Sequence, residues 1–66
     1  MKNYQHWSTD TLINRKTRLL ADVADWERTL QETKSLLIQF SLTHYIKKTK
    51  EEVRAIDAEL CYREHN

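Results

Sequence analysis

Apolar residues recur at intervals of three and four between residues 12 and 40, and no other pattern in the chain is as regular. This spacing is typical of the contact stripe of a long helix that packs against another helix. It predicts a first helix over about residues 9–39. The positions of the repeat are Leu12, Lys16, Leu19, Val23, Trp26, Leu30, Thr33, Leu37 and Phe40.

The beginning of this helix is marked by its capping residues. Ser8 is a good N-cap, because a serine hydroxyl can accept a hydrogen bond from an otherwise unpaired N–H group in the first turn. Trp7 and Leu12 then stand at the spacing of a hydrophobic staple. Residues 1–8 are expected to form an irregular N-terminal segment.

A second repeat follows the first, shifted by two residues. Its positions are Leu42, Ile46, Thr49, Val53, Ile56 and Leu60. A shift of two residues is a rotation of about 200°, so one straight helix would carry its two stripes on opposite sides. We therefore predict a turn near residues 40–43 and a second helix over about residues 42–63. The predicted fold is an all-α, antiparallel two-helix hairpin that forms a single domain over residues 1–66.

Antiparallel pairing about this turn matches the two repeats layer by layer. Trp26 then becomes the large aromatic anchor of the core, and the two threonines of the facing stripes come to lie opposite each other. The predicted layers include Trp26 with Ile56, Leu30 with Val53, and Thr33 with Thr49.

In this register the second helix is too short to cover the first two turns of the first helix. Either this overhang frays, or another chain covers its apolar residues. A two-helix hairpin alone is marginally stable, so we expect a second copy to bind here and form a dimeric helical bundle, or a host protein to bind instead. The predicted partner-binding or dimer-binding residues are Trp7, Leu12, Ile13, Arg15, Arg18, Leu19 and Leu20.

The composition agrees with a helical protein and excludes several classes. Glycine and proline are both absent from the 66 residues, which leaves little material for hairpin turns or flexible linkers. The single cysteine excludes an internal disulfide. The N-terminus lacks the apolar run of a signal peptide, and no apolar stretch is long enough for a membrane span. These features predict a cytoplasmic protein.

Charge is patterned along the chain although its formal sum is only +1. Residues 33–50 contain four lysines and no acidic residue, so the turn end of the predicted hairpin is basic. Unpaired N–H groups at the N-terminus of the second helix would attract anions there. A solvated basic end is the alternative. The candidate anion-binding residues are Ser41, Thr43, His44, Lys47 and Lys48.

Catalytic and metal chemistry have little support in the sequence. Cys61 and His65 stand four residues apart, which is a metal-ligand spacing on a helix, but two further ligands are not placed near them. No base is placed to activate the thiol, and no glycine-rich phosphate loop is present. We predict no enzyme activity, no metal site, no cofactor and no small-molecule substrate.

The expected function is therefore protein binding by a small regulator or inhibitor through the overhang of the first helix. A chain of this size and composition is common among accessory proteins of phages and mobile elements. The alternative is a nucleic-acid-binding helical hairpin that uses the basic turn end. Salt separates the two, because binding to phosphates weakens steeply as salt is added.

Overall fold

The computed structural model describes the backbone of residues 4–65 and the side chains of residues 4–64. Two helices, α1 (Thr9–Glu32) and α2 (Leu36–His65), pack side by side in an elongated hairpin of 47 × 20 × 16 Å. The predicted all-α hairpin is thus confirmed. Neither helix is long and apolar enough to cross a membrane within the described residues.

The helix α1 begins where the sequence predicts. The Ser8 hydroxyl accepts a hydrogen bond from the Thr11 N–H group at 3.1 Å, and its backbone is extended as an N-cap requires. Before it, the Trp7 N–H group donates to the Tyr4 carbonyl at 3.1 Å and closes a turn. Residues 4–8 lie outside the helices, and residues 1–3 of the predicted N-terminal segment lie outside the described residues.

The turn between the helices lies at residues 33–35, and the predicted turn at residues 40–43 is wrong. Polar side chains close the turn in place of a glycine. The Ile38 N–H group donates to the Ser35 hydroxyl at 3.4 Å, and the Gln39 side-chain amide donates to the Thr33 carbonyl at 3.0 Å. Side-chain caps of this kind satisfy the backbone groups that a helix end leaves unpaired.

Moving the turn also changes the register of the hairpin. The Trp26 ring lies beside the Tyr45 ring, with centroids 6.1 Å apart, and not opposite Ile56. Thr33 is the C-cap of α1 while Thr49 lies well inside α2, so the predicted threonine pair does not form. Trp26 is half-buried and is not the central anchor of the core.

The core instead lies toward the end of the hairpin that is opposite the turn. Leu12 and Ile56 are fully buried in it, and Trp7 and Leu60 pack against it. Burying such side chains typically stabilises a fold by about 1.5–3 kcal/mol each. The buried members of this cluster are Tyr4, Leu12, Leu19, Val53 and Ile56.

Ion pairs join the two helices beside this core. The Arg15 Nε atom lies 3.0 Å from the Glu52 carboxylate, and Lys16 pairs with Asp57. Arg15 and Lys16 are neighbours in sequence, so their side chains point about 100° apart around the axis of α1. The two ion pairs flank the core and add modestly to the register that its buried apolar side chains set, since partly exposed ion pairs contribute only about 0–1 kcal/mol each.

Arg63 fastens the N-terminal turn to the last part of α2. Its Nη2 atom donates to the carbonyls of Tyr4 at 2.9 Å and Gln5 at 3.4 Å. Its Nη1 atom donates to the Thr9 hydroxyl at 3.2 Å, and its Nε atom donates to Glu59 at 2.9 Å. A planar guanidinium can satisfy this many acceptors at once, whereas a lysine cannot.

The position of the turn can be tested with a matched pair of serine variants. Ser35→Ala removes the cap of α2 and should lower the free energy of unfolding by about 0.5–2 kcal/mol. Ser41→Ala lies inside α2, where alanine is the better helix former, and should change it by less than about 0.5 kcal/mol. Urea unfolding followed by circular dichroism measures both. A larger loss for Ser41→Ala would instead place the turn near residue 41.

Candidate protein-binding surface

The predicted overhang of the first helix is absent, because α2 continues to His65 and covers the beginning of α1. Leu12 is fully buried and Leu19 is 7 % exposed. Trp7 is half-buried against the same core. The folded hairpin therefore occupies the surface that these residues were predicted to offer to a partner.

The rest of the predicted site lies outside this core. Ile13 and Leu20 are each 46 % exposed, and Arg18 is also exposed. Arg15 is half-buried and pairs with Glu52. Ile13, Leu20 and Arg18 remain available to a partner, and their role in binding stays a prediction.

The predicted anion-binding residues do not surround a helix N-terminus. Ser41, Thr43, His44, Lys47 and Lys48 all lie inside α2, where backbone N–H groups form the helical ladder. The Thr43 hydroxyl donates to the Gln39 carbonyl at 2.8 Å. The prediction that unpaired N–H groups bind an anion at these residues is therefore wrong, although the two lysines are exposed.

The structure brings together an exposed apolar cluster at the beginning of α2. Leu36 is 81 % exposed, and Leu37 and Phe40 are each 78 % exposed. A shallow depression beside the cluster is lined by Leu36, Gln39, Phe40, Thr43, His44 and Lys47. We call Leu36, Leu37 and Phe40 the α2 apolar cluster.

The sequence prediction missed this cluster because a turn at residues 40–43 would place Leu37 and Phe40 against the second helix. The signal was present in the shift between the two repeats. Leu37 and Phe40 belong to the first repeat, while Leu42 and Ile46 belong to the second. A continuous α2 places the two pairs on opposite sides, and α1 covers only the second pair. The two-residue shift between the repeats therefore indicates two opposite sides of α2. Leu37 and Phe40 lie on the exposed side, and Leu42 and Ile46 lie on the side that faces α1.

The described residues hold no group of three or more histidine, cysteine, aspartate or glutamate side chains that could bind a metal ion. Cys61 is exposed and forms no disulfide, and the side chain of His65 lies outside the described residues.

Comparison of the chain with protein-family models, with curated proteins and with solved structures finds no match to any of them. Its function is therefore inferred from the side chains that the hairpin exposes. Among these, the α2 apolar cluster has the highest fractional exposure of the large apolar residues described.

Adjacent leucines test whether the beginning of α1 is covered. Leu19→Ala removes a buried side chain and should lower the free energy of unfolding by about 2–5 kcal/mol. Leu20→Ala changes a half-exposed side chain of the same type and should cost far less, within about 1 kcal/mol. Thermal and urea unfolding measure both. Equal losses would show that α2 does not cover this part of α1.

Proposed function

We propose that the protein is a non-enzymatic interaction module, a small regulator that acts by binding protein through the outward side of α2. The observation that supports this proposal is the α2 apolar cluster, whose three large side chains are 78–81 % exposed within five residues of one helix. The function is the one predicted from the sequence, protein binding, but the proposed binding surface is the beginning of α2 and not the beginning of α1.

The exposed side chains of the α2 apolar cluster lie next to one another on one helix. Scattered apolar residues on a surface are common and need no partner. A contiguous group is different, because such patches mark interaction sites on soluble proteins. Leu36, Leu37 and Phe40 would each contribute about 1.5–3 kcal/mol if they were fully buried. A protein surface supplies that burial, whereas water does not.

Nucleic-acid binding remains the alternative for the same end of the hairpin. Lys47, Lys48 and Lys50 are exposed on α2 and could contact phosphates. Phosphates, however, gain nothing from the leucines of the α2 apolar cluster, and the helix N-terminus expected to assist the lysines lies elsewhere. Protein binding uses the apolar and the basic side chains together, and we favour it for that reason.

A photocrosslinking experiment in cells tests the proposal. Phe40 is replaced by the photoreactive amino acid p-benzoylphenylalanine, which forms covalent adducts with C–H bonds within contact distance. We expect a discrete protein adduct after irradiation, because position 40 lies in the proposed contact. Arg28 is exposed on α1, away from the cluster, and the same replacement there is the matched control.

Each outcome decides between the proposed classes. A protease-sensitive adduct at position 40 that is absent at position 28 supports protein binding. A nuclease-sensitive adduct at position 40 identifies the nucleic-acid alternative. Equal labelling at both positions, or no adduct at position 40, overturns the proposal.

A further inference from the structure

Exposed residues that are three or four positions apart form one continuous stripe along most of α2. At about 100° per residue they fall within an arc of roughly 80°, on the side of α2 opposite α1. The stripe is about 37 Å long at 1.5 Å per residue. We define the outward stripe as Leu37, Phe40, His44, Lys47, Glu51, Ala55, Ala58 and Tyr62.

We propose that the occupant of this stripe is a second copy of the chain, packed with its own α2 antiparallel to the first about a two-fold axis near residue 49. The inference rests on the proposed function and names its partner. In such a symmetric contact, each residue meets a residue at the mirrored position of the other copy. The two hairpins would then be joined back to back, with each α1 on the outside.

Side-chain size is complementary across this axis. Phe40 of one copy meets Ala58 of the other, a large residue against a small one. Leu37 meets Tyr62 at the ends of the contact, where two large side chains can pack side by side. The small side chains of Ala55 and Ala58 allow the second helix to approach closely, so that the large ring of Phe40 can be buried against its backbone. A large residue opposite a small one is the arrangement by which packed helices interdigitate.

Charge is complementary in the same alignment. Lys47 of each copy meets Glu51 of the other beside the axis. Over the longer range, residues 36–50 carry three lysines and no acid, whereas residues 51–64 carry five acids and two arginines. Antiparallel pairing lays the basic half of one α2 on the acidic half of the other. Parallel pairing would oppose like charges, which disfavours that partner orientation.

Light scattering on the purified full chain tests the proposal through a charge swap. The wild-type chain should have twice the monomer mass at micromolar concentrations. Lys47→Glu or Glu51→Lys alone places like charges beside the axis and should raise the dissociation constant at least about tenfold. The double variant restores opposite charges and should return the constant to within about threefold of the wild-type value.

Two controls separate the interface from the helix itself. Arg28→Glu makes the same charge change as Lys47→Glu on α1 and should leave the dissociation constant unchanged. Circular dichroism at high protein concentration should show the same helix content for every variant, since a pair four residues apart within one helix contributes only about 0.2–0.5 kcal/mol.

Disulfide trapping tests the direction of pairing. Lys47→Cys and Glu51→Cys variants, each in a Cys61→Ser background, are mixed and oxidised. Antiparallel pairing predicts the mixed disulfide in preference to either disulfide between identical variants. Preference for identical pairing at position 47 would show a parallel contact and overturn the proposal.

The failure of this inference is distinguishable from failure of the proposed function. A wild-type chain that remains monomeric up to about 100 µM, far above the Kd expected for a specific interface, overturns the dimer. If position 40 still crosslinks to a different protein, the proposed function stands with another partner. If position 40 crosslinks to no protein, both fail. A dimer whose mass is unaffected by both single charge variants overturns this alignment.

Discussion

The hairpin depends on the joint burial of Leu12 and Ile56, the two side chains that are completely removed from water. Other contacts between separate parts of the chain gather around these two side chains. The ion pairs of Arg15 and Lys16 with α2 form beside it, and the N-terminal turn covers it by inserting Tyr4. Five of the seven buried apolar side chains in the described residues belong to this cluster, so the stability of the hairpin is concentrated at one end.

The opposite end of the molecule has a different character. Between the turn and the core, α1 and α2 meet through Val23, Ile46 and the tilted pair of Trp26 and Tyr45. Beyond them Leu36, Leu37 and Phe40 point away from α1 and are exposed. The molecule thus separates the residues that hold it together from those it exposes, so a change in the α2 apolar cluster can alter binding without altering the fold.

The sequence predicted the helices, the Ser8 cap and the hairpin correctly because these depend on local spacing and capping chemistry. It failed at the turn for a physical reason. Thr33 fits the apolar spacing of the first repeat, but its extended backbone ends α1, and Ser35 begins α2. Apolar spacing reports which side of a helix a residue faces and not whether another helix lies there. A turn predicted at residues 40–43, and not at 33–35, places Leu12 and Leu19 on an uncovered surface and Leu37 and Phe40 in the core.

The bonds of Arg63 to Tyr4 and Thr9 span 59 and 54 residues of chain. During synthesis, α1 leaves the ribosome long before the residues that cover it. Its apolar side chains stay exposed until the stretch containing Val53, Ile56 and finally Arg63 has emerged, because contacts of such separation form only when both ends are present. The contacts that complete the fold therefore depend on the last turns of α2, which are the last part of the hairpin to be made.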